Sequence, residues 1–290
     1  MTEDEELAVD HRKPGAVFEL VSNDLRVDIV RALGEAREPL SFSSLREIVG
    51  ERDSGKFNYH LRKLVGHFVT QGEQGYRLSI AGEQMYGTML SGAYTAHATV
   101  EPFEFDGPCP LCGNDVLVAE YAAETPELHC PNCEDWFNEF PFPPGSLGEF
   151  DRQELPAAFD RWMRTTLQTF LHGFCANCGG RVEACLEQTA AGDPLPIRAT
   201  YECGRCGEEL QASPSLPVFF HSTAVSFFDR HGVDVFRDPT WQFYGPEDEV
   251  SVEIVDEEPV RVEVVVTMGA ETLRATVGPE VTVERVSIDQ

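Results

Sequence analysis

The sequence predicts an α+β protein in which helices and antiparallel hairpins follow one another in small blocks. Three observations carry that prediction. Apolar spacing switches from helical to alternating between Glu51 and Gly82. The pattern C-x2-C…C-x2-C occurs twice, each time around strand-like residues. Residues 250–287 alternate apolar and polar in four successive runs. In chain order the expected blocks are an acidic tail (1–13), helices ending in a hairpin (14–98), a cysteine-bearing hairpin (99–150), a helix with a second such hairpin (151–213), and a helix with an antiparallel sheet (214–290).

Met1–His11 is expected to be disordered. Pro14 opens a helix whose stripe of Val17, Leu20, Val21, Leu25, Ile29 and Val30 reaches Leu33, with Gly34 closing it. Glu38-Pro39-Leu40 is a linker. Ser41 or Ser43 caps a short helix, Ser44–Val49, and Gly50–Asp53 is the next turn. Ser54 is the expected N-cap of the following helix, which buries Phe57, Leu61, Leu64 and Val65. Its opposite face then carries Tyr59 and Arg62, flanked by Lys56, Asn58 and Lys63. After Gly66, His67–Gln71 and Tyr76–Ile80 form a hairpin about the turn Gly72–Gly75, with Arg77 on the return strand. A further helix, Ala81–His97, carries Met85, Met89 and Tyr94.

Charge is distributed unevenly along this order. The 290-residue chain has a net charge of −28, which opposes nucleic-acid binding by simple attraction. Residues 101–290 hold most of it, with 11 basic against 35 acidic residues. Residues 11–100 hold 11 basic and 10 acidic residues, and all three lysines of the chain, Lys13, Lys56 and Lys63. The acid-dense remainder resembles proteins of salt-loving archaea, whose acidic surfaces stay hydrated at molar salt. Against that background the near-neutral block reads as a DNA face: Arg and Lys suit phosphates and guanine edges, Asn suits adenine, and Tyr offers a ring and a hydroxyl.

Phe18–Leu33 (F-E-L-V-S-N-D-L-R-V-D-I-V-R-A-L) and Tyr59–Leu64 (Y-H-L-R-K-L) resemble the first helix and the recognition-helix core of ArsR-type winged helix-turn-helix transcription regulators. The resemblance covers residues 14–98. It implies a homodimer on double-stranded DNA, with Ala81–His97 at the two-fold axis. It also has one departure: metal-sensing members carry cysteines before the recognition helix, and here no cysteine precedes Cys109.

Cys109, Cys112, Cys130 and Cys133 form C-x2-C, a 17-residue gap and C-x2-C; Cys175, Cys178, Cys203 and Cys206 repeat the plan with a gap of 24. A C-x2-C turn sets two thiolates one tetrahedron edge apart, and a glycine just after it lets backbone amides turn toward sulfur. Two such turns joined by a hairpin read as a zinc ribbon, so two structural four-cysteine zinc sites are expected. Four thiolates leave no open position for a catalytic water. Cys185 is left over and points with Glu183 and Glu187, away from Val182, Ala184 and Leu186. His129 and His172 adjoin the clusters but are not needed as ligands.

A helix from the capping box Asp151–Glu154 to His172 carries Phe159, Trp162, Met163, Leu167, Phe170 and Leu171. Ser215–His231 reads as a second, Phe-rich helix. The terminal meander should bury Val250, Val252 and Ile254, then Val260, Val262, Val264 and Val266, and on through Val283. A small-molecule pocket between Trp162, the Phe-rich helix and the sheet is the minor alternative to an ordinary core. With the ribbons added, the whole resembles haloarchaeal ArsR-like regulators.

No HExxH, P-loop or nucleophile elbow is present, and a non-enzymatic role is expected. No run of 18 apolar residues exists and the N-terminus is acidic, so the expectation is a cytoplasmic protein without a membrane partner. The expected function is a dimeric, DNA-binding transcription regulator. The alternative is a basal-transcription or interaction factor whose ribbons bind a protein partner.

Overall fold

A computed structural model describes residues 12–133, 137–189, 197–243 and 249–289. The fold is α+β with several antiparallel sheets. It divides into two compact units: Met1–Ala96 with Pro143–Ser146, and His97–Phe142 with Leu147–Gln290.

The first unit runs α1 (Pro14–Glu19), α2 (Asp24–Ala36), α3 (Phe42–Val49), α4 (Ser54–Leu64), β1 (Val69–Gly72), β2 (Gly75–Leu78) and α5 (Ile80–Ser91). Its core comes from the expected apolar positions: Ile29, Val30, Leu45, Phe57, Leu61 and Leu64 are fully buried. Burying side chains of this size contributes roughly 1.5–3 kcal/mol each. The hairpin β1–β2 gains a third partner, because Leu40 and Tyr76 exchange two backbone hydrogen bonds of 2.9 Å. Gly75, at φ +126°, is required there: a Cβ would lie 2.3 Å from the Leu40 carbonyl oxygen.

Several expected boundaries shift. The single helix Pro14–Leu33 is two, broken at Leu20–Asn23, and Asn23 is the extended residue that starts α2. Gly34 does not end α2 but lies inside it, where the missing Cβ makes room for the Tyr86 ring, which a Cβ would meet at 2.5 Å. Arg37, in the left-handed conformation, ends the helix instead. Ser54 is the first helical residue of α4 rather than its cap. Asp53 caps it, accepting from the amides of Gly55 (2.8 Å) and Lys56 (3.0 Å). The expected tail Met1–His11 lies outside the described residues.

The second unit opens with a four-stranded antiparallel sheet in sequential order: β3 (Val100–Asp106), β4 (Val116–Ala122), β5 (Thr125–His129) and β6 (Phe137–Glu139). Helix α6 (Leu155–Leu171) follows, then the three-stranded sheet β7 (Val182–Gln188), β8 (Ile197–Cys203), β9 (Glu209–Ala212). The expected turn about Gly192 lies outside the described residues. Helices α7 (Leu216–Phe219) and α8 (Ser222–Arg230) replace the single expected helix, broken at Phe220–His221, and the meander β10 (Glu249–Glu257), β11 (Val260–Met268), β12 (Glu271–Val277), β13 (Val283–Asp289) closes the chain.

Helix α6 serves two cores. Leu155 and Phe159 pack with Leu117, Tyr121 and Trp241 around the first sheet. Leu167 and Phe170 pack with Ile197, Tyr201, Phe227, Phe228 and the inner face of the meander. Val262, Val264, Val266, Leu273 and Val277 are fully buried there, as alternation predicts. Strand β10 departs from it: Val250 and Ile254 are each 37 % exposed, because β10 is an edge strand with a partner on one side only. Trp162 is likewise half out of the core, its indole N–H donating to the Pro141 carbonyl at 3.0 Å.

Candidate metal centres and nucleic-acid interface

Each four-cysteine group is assembled by the hairpin between its two C-x2-C turns. In the first, β4 pairs with β5 and brings the turn before Val116 beside the turn after His129. Cys109 Sγ then lies 3.8 Å from Cys133 Sγ, and Cys112 Sγ lies 3.6 Å from Cys130 Sγ. In the second, β7 pairs with β8, and Cys175–Cys206 and Cys178–Cys203 are 3.7 and 3.6 Å apart. All four sulfurs of each group lie within 4.8 Å of one another. A disulfide would hold its sulfurs at about 2.05 Å. The observed spacing instead matches the edge of a tetrahedron with metal–sulfur bonds of about 2.3 Å, roughly 3.8 Å. Each group could hold a metal ion.

The backbone is shaped for sulfur. Gly113, Gly179 and Gly207 adopt positive φ, and each donates its N–H at 2.9 Å to the carbonyl of the cysteine four residues back. Gly180 passes so close to the second group that a Cβ would meet Cys203 Sγ at 3.0 Å and Cys178 Sγ at 3.1 Å. Its N–H donates to Cys178 Sγ at 3.4 Å. Asn132 does the same for the first group, its backbone N–H reaching Cys130 and its side-chain amide reaching Cys112. That side-chain amide, with the Asn114 N–H, brings the Cys112 thiol down to about 6, whereas burial pushes Cys109 up to about 12. The N–H groups of Cys206 and Arg205 bring Cys203 down to about 7. At Cys112 and Cys203 these donors favour the thiolate. Asn132 was not singled out in the sequence, and only its place inside the second C-x2-C pointed to it.

Cys185 lies outside both groups, exposed, with its thiol 3.6 Å from Glu187. His129 is part of neither four-cysteine group. It faces the carboxylates of Glu120 and Glu127 on β4 and β5, within 4.8 Å of both.

On α4 the side chains of Lys56, Asn58, Tyr59, Arg62 and Lys63 are all exposed, while Phe57, Leu61 and Leu64 face the core. Asn58, Tyr59, Arg62 and Lys63 line one shallow concavity of about 410 Å³ with Gly55. Lys63 stands over the Tyr59 ring, 5.7 Å from its centroid. Lys56 is held apart from this set by Glu51, 2.7 Å away, whose carboxylate pulls the lysine up and is itself lowered. Arg77 is exposed on β2, its Nε donating to Thr70 Oγ1 at 3.4 Å.

Residues 106–283, more than half of the chain, match the model of a family described as Domain of unknown function (DUF7351). The chain belongs to the DUF7351 family. Apart from Pro143–Ser146, the DUF7351 match falls in the second unit, and it contains both four-cysteine groups. Residues 14–89 match a second model, Domain of unknown function (DUF7347), which lies inside the first unit and spans α1 to α4, the hairpin and most of α5. No curated protein and no solved structure matches the chain. Among the described residues no helix is long and apolar enough to cross a membrane.

Proposed function

We propose that this DUF7351 protein is a DNA-binding transcription regulator of the ArsR-like winged helix-turn-helix type, acting as a dimer and carrying two structural zinc ribbons. The observation that carries this is the outer face of α4. It presents Asn58, Tyr59, Arg62 and Lys63 together, in the near-neutral part of a chain of net charge −28, directly before a two-stranded hairpin. Helix α4 would lie in the major groove, with Lys56 at its first turn and the hairpin with Arg77 at the adjacent backbone. Dimerisation is supported by apolar side chains left in solvent on α5 and nearby: Ile80 is 77 % exposed, Leu90 60 % and Tyr94 86 %.

Zinc fits both four-cysteine groups, with Cys109, Cys112, Cys130 and Cys133 holding one ion and Cys175, Cys178, Cys203 and Cys206 the other. Bound there, it crosslinks the ends of a hairpin and adds folding free energy. A second reading, an interaction factor whose ribbons grip a protein, is favoured by Leu111, 63 % exposed at the tip of the first C-x2-C turn. Titration of random-sequence duplex DNA at several KCl concentrations tests the first reading. Affinity that falls log-linearly with salt, and is lost in Arg62→Glu, supports it. Unchanged binding in that variant contradicts it.

A further inference from the structure

The second unit contains a cavity of about 520 Å³ that the ribbons do not use. It lies between the last turn of α6, the break separating α7 from α8, and the start of β13. We propose that it is a binding site for a small aromatic carboxylate.

The walls define the ligand. Leu171, Pro217, Phe220, Phe236, Val281 and Val283 supply an apolar lining, with the Phe220 and Phe236 ring centroids 6.1 Å apart at an interplanar angle of 41°. The two rings touch one another and present an apolar wall to a flat body, and the volume is ample for one ring with its substituents. Gln168, His172, His221 and Thr282 supply the polar groups. Among the described residues that line it there is no Asp, Glu, Lys or Arg. The chain carries 50 acidic residues, so a wall free of carboxylates is a local exception, and it removes the repulsion an anion meets elsewhere.

The imidazoles supply the donors. His221 caps α8, its Nδ1 accepting from the Thr223 N–H at 3.3 Å, so in the neutral ring the proton sits on Nε2 as a donor. It also stands at the N-terminal end of α8, where the helix dipole favours negative charge. A cavity of about 340 Å³ that shares Phe236 has the opposite chemistry, with Asp229 and Asp234 in its wall. The backbone is held in an unusual state at the proposed site. Val281, buried and β-branched, sits at φ +54°, a conformation such residues rarely adopt and one that clusters at ligand sites. The sequence-level expectation was a pocket between Trp162, the Phe-rich helix and the sheet; the cavity has the last two as walls, but α6 contributes Gln168 and Leu171 from its last turn in place of Trp162. The break at Phe220–His221, which no periodicity signalled, creates the cavity.

The test is calorimetric titration of the full, metal-loaded chain with sodium benzoate at molar KCl, beside benzyl alcohol and benzylamine. Benzoate should saturate one site with a Kd below about 1 mM, as expected for a ligand of this size. The two uncharged or cationic analogues should bind at least tenfold more weakly. Phe236→Ala removes an exposed ring, and His221→Asn keeps an N-cap acceptor while removing the imidazole; each should weaken benzoate at least fivefold. Absence of saturable binding by a chain with an unchanged melting transition overturns the proposal. So does equal affinity for benzylamine, or benzoate affinity unaltered in both variants. The titration involves no DNA, so its outcome is independent of the role proposed for α4.

Discussion

Glu51 holds Lys56 in an ion pair of 2.7 Å, at the opening of the helix whose other lysine, Lys63, has no such carboxylate among the described residues and stands over Tyr59 instead. The two lysines are thereby made unequal. Lys56 is already paired before any phosphate arrives, and because its ammonium is exposed the pair adds little to stability. Lys63 keeps its charge for a ligand. Lys63→Gln should lower the salt slope of DNA binding by about 0.9, the contribution of one phosphate contact. Lys56→Gln should lower it by less, and Glu51→Gln should raise affinity. Equal effects of the two lysine variants would show that Glu51 does not restrain Lys56.

The sulfur geometry of the two four-cysteine groups makes a count. The purified chain should carry two zinc ions, falling to one in Cys130→Ser, one in Cys203→Ser and none in the double variant. Cys185→Ser should keep both, since Cys185 lies outside the groups. Elemental analysis with a thiol titration reads this directly. Removing metal with a chelator should also lower the melting temperature of the second unit, because a four-thiolate site contributes its binding free energy to folding.

Asp160 and Arg164 form the buried ion pair of α6. Arg164 Nε donates to Asp160 Oδ2 at 2.8 Å and Nη1 donates to the Val235 carbonyl at 2.7 Å, while Asp160 Oδ1 accepts from the Thr240 N–H and hydroxyl. The pair thus ties the helix to residues 235–240. Asp160→Ala leaves a guanidinium buried without its counter-charge and should cost about 3–5 kcal/mol. Denaturant unfolding followed by tryptophan fluorescence measures it, and a loss under about 1 kcal/mol would mean the charge finds water.

Acid should loosen the first unit. His60, on α4, is held below its ordinary value of 6.5 by burial and then by the nearby charges of Arg26 and Lys56. His67 is lowered by burial and by Arg12. A lowered histidine binds its proton more weakly folded than unfolded. Stability is therefore fully present above 6.5 and declines as pH falls through that value toward the lower folded one. Hydrogen exchange of α4 amides, corrected for intrinsic rates, should speed up between pH 7 and 5.5, and less so in His60→Gln.

Much of this was legible in the sequence because local rules and burial agree. Phe57, Leu61 and Leu64 mark one face of α4, alternation marks β11 and β12, and both cysteine groups follow from spacing alone. What was not legible depended on partners distant in sequence. Gly34 is a glycine to make room for Tyr86 rather than to end a helix, and Glu51 restrains Lys56 by a contact that no motif encodes. Val250 and Ile254 alternate like core residues, yet edge position leaves them partly exposed, and edge position is a property of the sheet order. The cavity lined by Phe220 and His221 arises from a helix break within an apolar run.

The most direct measurement is selection of duplexes from a random DNA pool by the purified chain at molar KCl, with Arg62→Glu selected in parallel. Enrichment of a palindromic motif by the parent chain, absent with Arg62→Glu, is the expected result. Failure to enrich any motif, with both metal sites filled and the fold intact, or the same motif recovered by Arg62→Glu, would contradict a dimeric regulator that reads DNA through α4.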